Sequence, residues 1–243
     1  MTSLKLYSEL ADIYDQLYLH LFNYKQDAEF AARIFNKYNV RDLLELGCGT
    51  GHLTRFLGDL GFRITGIDLF EEMLAIARQR NPDMEFYQQD MRDLKLERKF
   101  DCVFSMGRVF AYMTSNEDVE NCFNSVANCL NADGIFLFDN FFAPHFIKNL
   151  KENKEITTEV ELKDRTIRRI SKNSWNLKDG VTFNWNATYQ IETAGDVKEF
   201  HDDSILRTFF PEEIKSFLER QNFIVMDVFE DLAAFTILAR KVG

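Results

Sequence analysis

"LLELGCGTGHL", residues 43–53, is the stretch that decides how this chain folds. An apolar run ends in three glycines at alternate positions, Gly47, Gly49 and Gly51, just ahead of a helical pattern. A buried strand that turns into a helix in this way needs residues without Cβ atoms. The backbone there must adopt positive φ and pass close to whatever it cradles.

Working outward, "DLLEL" (42–46) reads as a short buried strand and "FRITGID" (62–68) as a second. "EEMLAIARQR" (71–80) reads as a helix, with acids in its first turn, basic residues in its last and Pro82 just beyond. "MEFYQ" (84–88), "FDCVFSM" (100–106) and "IFLFDN" (135–140) continue the strands. Between the last two, "NEDVENCFNSVANCL" (116–130) places Val119, Phe123, Val126 and Leu130 on one helical face. Upstream, Phe30, Ala31, Ile34, Phe35 and Tyr38 share such a face, so the first forty residues read as helical. Strands alternating with helices imply a parallel sheet with right-handed crossovers, which binds ligands beyond the carboxyl ends of its strands. Those ends are residues 47–51, 68–70, 89–92, 105–112 and 139–142.

The pattern changes after about residue 150. "VTFNWNATYQI" (181–191) alternates without a break, with Val181, Phe183, Trp185, Ala187, Tyr189 and Ile191 on one side. Asp179-Gly180 before it marks a hairpin with "RTIRRISKNSWNL", and "EITTEVEL" and "VKEFHDDSILRTF" bracket the pair. The expectation is a three- or four-stranded antiparallel insert over 151–208, interrupting a main domain of residues 1–150 and 209–243. "PEEIKSFLER" (211–220) resumes that domain as a helix with Pro at a first position. "FIVMDVFED" and "AAFTILARK" close it as two neighbouring, mutually antiparallel strands.

Composition narrows the function classes. A net charge of −10 opposes a nucleic-acid partner, which requires a clustered basic footprint. Four cysteines without CxxC spacing or nearby histidine pairs oppose a zinc site, and no metal is expected. Their sparseness suits a reducing cytoplasm. Charges interrupt the first residues and no 18-residue apolar run occurs, so neither a signal peptide nor a membrane span is expected. The 24 phenylalanines read first as core, with an aromatic pocket as the alternative.

A dinucleotide fold favours G-x-G-x-x-G with an acid about 20 residues on. Here the third glycine comes one place early and His52 holds its slot, while the acid is present as Asp68. The turn therefore accepts a nucleoside but fits a diphosphate imperfectly. "ELGCGTGHLT" (45–54), Asp68, and "QQDMRDL" (88–94) after the third strand together resemble the class I S-adenosylmethionine-dependent methyltransferases.

That resemblance implies a Rossmann-like seven-stranded, mostly parallel sheet with an antiparallel last strand and helices on both faces. It implies S-adenosylmethionine as cofactor, with Glu45, Gly47, Gly49 and Gly51 as the first motif. Asp68 would take the ribose hydroxyls, Asp90 the adenine amino group, and Met91 the ring face. Tyr14, Cys48, Leu69, Met73 and Met106 complete the cofactor set. Glu45 ordering the loop, Cys48 as passive filler, and Asp68 or Asp90 as local caps remain open.

"YDQLY" (14–18), the fourth- and fifth-strand ends and the insert resemble small-molecule amine N-methyltransferases, in particular those of nucleotide-linked amino sugars. That resemblance implies a small-molecule acceptor, with Tyr18 facing it. Arg108, Tyr112, Asn140, Phe142 and Trp185 are the pocket candidates. An acceptor amine must lose a proton before attack, and Tyr18, His201 or water could take it. Arg108 could instead be a surface salt bridge, and Arg168 and Arg169 either a diphosphate grip or a solvated strand face. The insert's apolar side could also form a homodimer contact. O-methyl transfer, a nicotinamide-dependent dehydrogenase and a non-catalytic binding protein are the competing readings.

Overall fold

The computed structural model describes residues 4–149, 154–176 and 181–242. A 3-10 turn at Lys5–Tyr7 leads into α1 (Ala11–Leu21) and α2 (Tyr24–Lys37). There follow β1 (Asp42–Leu46), α3 (His52–Asp59), β2 (Arg63–Asp68), α4 (Glu71–Arg80) and β3 (Glu85–Gln88). Next come β4 (Phe100–Ser105), a 3-10 turn at Val109–Tyr112, α5 (Asn116–Cys129), β5 (Leu130–Phe141) and α6 (Ala143–Asn149). The insert supplies β6 (Ile156–Glu161), β7 (Thr166–Trp175), β8 (Thr182–Thr193) and β9 (Asp196–Arg207). The chain ends through α7 (Pro211–Arg220), β10 (Phe223–Glu230) and β11 (Ala234–Lys241).

The main sheet has seven strands in the order β10-β11-β5-β4-β1-β2-β3. β1 pairs in parallel with both β2 and β4, so the strand order reverses beside it. That reversal sets the glycine turn at the crevice where such sheets bind ligands. β11 runs antiparallel to β5 and to β10, as expected of the last strand.

Alternation along each strand separates two cores. Leu44, Leu46, Val103, Phe136 and Phe138 pack on α5 and α7, while Leu43, Cys102, Phe104, Ile135 and Leu137 pack on α2 and α3. Helices thus cover both faces. α5 starts where expected because Ser115 and Asp118 form a reciprocal capping box. β5 starts earlier than its apolar run, at Leu130, and an irregularity between its first residue and Ile135 absorbs the extra length.

The phenylalanines go mostly to the interior. Phe35, Phe100, Phe104, Phe110, Phe123, Phe136 and Phe138 are among those fully buried, with Phe136 and Phe138 stacked at 4.3 Å. All four cysteines are free and buried. No described helix is long and apolar enough to cross a membrane.

The insert forms a separate four-stranded antiparallel sheet, β6-β7-β8-β9. Asp179-Gly180 lies outside the described residues. The sheet's apolar side does not wait for a second copy of the chain. Leu6, Leu10, Ile13 and Leu17, from the N-terminal turn and α1, pack on Val160, Ile167, Ala187 and Tyr189. The N-terminal segment therefore covers the insert, as α2 covers the main sheet.

Candidate active site

The three glycines of the turn all have left-handed φ, at 66°, 53° and 74°, but for different reasons. A Cβ on Gly47 would stand 2.4 Å from Val109 Cγ1, and one on Gly51 would stand 2.6 Å from Asn81 Nδ2. Those two positions are pressed against the protein itself. Gly51 serves as the N-cap of α3 and borders neither of the two cavities described below. Gly49 is the open one. The nearest atoms to its Cβ would be Met73 Cε at 3.4 Å and Tyr14 at 3.9 Å.

Gly49 lines a cavity of about 390 Å³ beyond the carboxyl ends of β1, β2 and β4. Of the expected residues, the fold brings Tyr14, Gly47, Gly49, Asp68, Leu69, Met73, Asp90, Met91 and Tyr112 to its wall. A smaller cavity of about 50 Å³ adjoins across Tyr14, Gly47 and Gly49, bordered by Glu45, Cys48, Met106, Asp27 and His52.

Three of the turn's N–H groups are used within the protein. Cys48 N donates to Ile67 O at 2.9 Å and Gly51 N to Cys48 O at 3.0 Å. Gly49 N donates to Asp68 Oδ2 at 2.9 Å, and Phe70 N to Asp68 Oδ1 at 3.0 Å. A diphosphate lying over Gly49 would face the Asp68 carboxylate, which counts against the nicotinamide-dinucleotide reading. Burial pushes the Asp68 carboxyl up, against the pull of those N–H groups.

Asp90 does not stand free. It pairs with Arg92 at 2.5 Å, and Arg92 bridges to Asp118 on α5 at 2.7 Å. These bonds hold the Asp90 carboxyl below its ordinary value. Glu45 lies beneath the turn, 3% exposed, and accepts from Thr54 Oγ1 at 2.5 Å. Burial pushes its carboxyl up to about 8.

An aromatic wall faces the glycines. Tyr7 sits 5.5 Å from Tyr14, 5.7 Å from Phe70 and 5.9 Å from Tyr112, and its hydroxyl lies 2.6 Å from that of Tyr112. The sequence reading missed Tyr7, Phe70, Val109 and Met113. For Tyr7 a signal exists, since it precedes Tyr14 by two helical turns. For Val109 none does, because its contact with Gly47 arises only when β1 and β4 are adjacent. Asp15 anchors this wall to the turn. Arg80 Nη2 donates to both its oxygens at 2.9 and 3.0 Å, His52 Nε2 lies 2.8 Å away, and Arg80 also donates to Thr50 O. Together these partners hold the Asp15 carboxyl well below the usual range although burial opposes them.

Several expected residues lie off the larger cavity. His201 points away from the cavity on β9, with 70% of its side chain exposed, bonding Thr188. Strand alternation turns it outward, and Asp202 takes the inward place. Tyr18 does not border the cavity; it stacks behind Tyr14 at 4.3 Å and accepts from Arg169. Arg108 has left-handed φ and stands 3.8 Å from Asp139, off the larger cavity. Asn140 is fully buried with neither amide atom partnered, and Phe142 packs edge-on against Phe235. Trp185 packs within the insert's core, under Arg169. Cys48 is buried against Leu74, Ala77 and Phe86, and burial pushes its thiol up. Met106 packs on the α2 and α3 core.

The Rossmann-like sheet, with its glycine turn bonded to an acid at the end of β2, is similar to that of the class I methyltransferases. Residues 43–134 match the family model described as a methyltransferase domain. A dTDP-3-amino-3,4,6-trideoxy-alpha-D-glucopyranose N,N-dimethyltransferase of Streptomyces venezuelae is 29% identical over 211 residues, 85% of this chain and 86% of its own. Two solved structures share the fold: an S-adenosylmethionine-dependent methyltransferase from Clostridium acetobutylicum, and S-adenosylmethionine-bound CalS10, an amino pentose methyltransferase from Micromonospora echinaspora. Their TM-scores are 0.83 and 0.80 and their identities 22% and 20%. The first covers 97% of this chain and 98% of its own, the second 95% and 97%. The chain is an S-adenosylmethionine-dependent methyltransferase.

The residues present fit that cofactor. The open face at Gly49 admits a ligand against backbone, Asp68 supplies an acceptor for a diol, and Arg92, the one arginine on the cavity wall among the described residues, is neutralised by two carboxylates. A cationic sulfonium suits such a lining.

Proposed function

We propose that this enzyme methylates the amine nitrogen of a small polar acceptor of the amino-sugar type. The observation that carries the reading is the continuity of the cavity. Gly49, Asp68 and Met91 stand on one side of it and the Tyr7–Tyr14–Tyr112 wall on the other, within the size range of ligand sites. The named activities of the Streptomyces and Micromonospora proteins, both on amino sugars, favour an amine over a hydroxyl.

In this reading S-adenosylmethionine, when bound, supplies a methyl group activated on sulfur. Asp68 holds the ribose hydroxyls, Met91 and Leu69 flank the adenine, and the half-buried Asp27 beside the smaller cavity favours the amino group of the tail, with Glu45 as a neighbouring acceptor. The paired Asp90 offers its remaining lone pairs to the adenine amino group. Tyr14 and Met73 close the space around Gly49 and exclude water. In-line displacement needs alignment more than it needs a strong base. The Tyr7 and Tyr112 hydroxyls orient the acceptor amine, whose proton leaves to solvent; His201 has no part.

Calorimetric titration with S-adenosylhomocysteine, with NAD as control, tests the cofactor half, followed by a screen of primary amines and amino sugars for methyl transfer. Micromolar binding of the former alone and N-methyl product would support the reading. Turnover restricted to hydroxyl acceptors would overturn it.

A further inference from the structure

We propose that Asp139, at the carboxyl end of β5, is a positioning residue for methyl transfer: it holds the Gly107–Arg108 turn, and through Val109 it sets the glycine turn against which the cofactor lies. The proposal rests on the reading that the cofactor occupies the larger cavity. The strands that carry the site stand in the order β5-β4-β1-β2. The turns after the two central strands, β4 and β1, meet at the crevice, and each is held by a carboxylate from the strand outside it. Asp68 of β2 accepts from Gly49 N at 2.9 Å. Asp139 of β5 accepts from Gly107 N at 3.2 Å and from Arg108 N at 2.8 Å. Asp68 also borders the larger cavity. Asp139 is buried and borders neither cavity, so it acts only through what it holds.

The turn after β4 needs a holder. Gly107 and Arg108 are successive residues with left-handed φ, 87° and 63°, and for an arginine that backbone is unfavourable. Two N–H groups converging on one carboxylate offset that cost and fix both peptide planes. The bonds use different oxygens, Oδ2 for Gly107 and Oδ1 for Arg108, so the carboxylate cannot rotate without losing one of them. The Arg108 side chain returns to the same group, with Nη1 3.8 Å from Asp139 Oδ2. Burial pushes the carboxyls of Asp139 and of Asp27 on α2 up, and this one guanidinium draws both down.

Val109 follows the turn directly and carries its placement to the cofactor side. Gly107 and Val109 border both cavities, as Gly47 and Gly49 do. The Val109 side chain fills the space where a Cβ on Gly47 would stand, with Cγ1 at 2.4 Å and Cγ2 at 2.9 Å. A turn released from Asp139 would let Val109 move within this contact, and the wall shared by the two cavities would move with it. Close-packed interiors transmit such displacements. Misplacement by about 1 Å, caused far from the reacting atoms, is enough to cost roughly 100-fold in rate.

The test is calorimetric titration of the full chain with S-adenosylhomocysteine, each variant held well below its own Tm. Asp139→Ala removes both acceptors and should weaken binding by about tenfold or more, on the scale of one charge-assisted hydrogen bond. Asp139→Asn keeps one carbonyl for Arg108 N and should lose less; it carries the test alone if Asp139→Ala does not fold. An aspartate that only stabilised the fold would lower Tm in both variants and leave the affinity of the folded protein unchanged, and that result would overturn the proposal. A double-mutant cycle with Val109→Ala checks the route. Because Asp139 acts through Val109, the combined loss should fall well short of the product of the two single losses; losses that multiply in full would also overturn it. Asp68→Ala, titrated alongside, separates the failures. Weaker binding there with none in the Asp139 variants removes only the positioning role, whereas no effect of Asp68→Ala removes the cofactor from this cavity and the proposal with it.

Discussion

At the scale of single residues, Asp68 and Gly49 do the most and Glu45 is the most exposed to pH. Asp68 is held by two backbone N–H groups, so its carboxylate stays in place whether or not a ligand is present. Asp68→Ala should weaken S-adenosylhomocysteine binding by roughly 1–3 kcal/mol in a calorimetric titration. Unchanged affinity would remove it from the ribose. Gly49→Val should abolish that binding while thermal unfolding stays cooperative, because its Cβ meets ordinary contacts on the cavity side. The left-handed φ of 53° should lower stability by about 1–2 kcal/mol. Gly47→Val should instead damage the fold, since Val109 already fills the space. Glu45 carries a raised carboxyl, ordinary value 4.5 and folded value about 8. The folded state therefore binds the proton more tightly than the unfolded one between those values. Stability from this group is intact below about 4.5, declines as pH rises, and is lost above about 8. The difference in Tm between Glu45→Gln and wild type should grow across that window; a difference that stays flat would contradict it.

At the scale of elements, α1 links two bodies. Leu17 and Ile13 pack on the insert's sheet, while Asp15, on another side of the same helix, grips Arg80 of α4 and His52 of α3. The latch keeps Tyr14 against Gly49. Arg80→Ala should cost about 1–2 kcal/mol of stability, speed limited proteolysis within α1 and weaken cofactor binding. The Asp15 carboxyl is depressed below its ordinary value of 3.8. Its contribution is present above that value and is lost as pH falls through the depressed one. Protease resistance equal to wild type would mean that packing alone positions α1.

At the scale of the whole molecule, the cavity is walled mainly from the seven-stranded sheet's side, with Ile205 of β9 its one described contribution from the smaller sheet, and the N-terminal turn touches both. Leu6 N donates to Asp202 Oδ1 of β9 at 3.3 Å, and Tyr7 meets Tyr112 of the main domain. Deleting residues 1–10 removes Leu6, Tyr7 and Leu10 together. Such a variant should bind S-adenosylhomocysteine more weakly and expose the insert to proteolysis sooner than the main domain. If both bodies still resist digestion equally, the turn is not the link.

By itself the sequence determined the sheet, the position of the glycine turn and the antiparallel character of the insert and of the last hairpin. All of these rest on local periodicity and on turn chemistry, which a single chain displays openly. It also determined that Asp68 ends a strand beside that turn, and that no phosphate-binding spacing is present. Only the tertiary structure decided which residues meet. Strand alternation sent His201 outward and Arg169 inward, a choice of register that no composition reveals. The adjacency of β1 and β4 brought Val109 onto Gly47, and the packing of α1 on the insert put Tyr18 behind Tyr14 instead of beside the cavity. Contacts of this kind depend on how separate elements stack, and each element's sequence is compatible with several stackings until burial of the whole selects one.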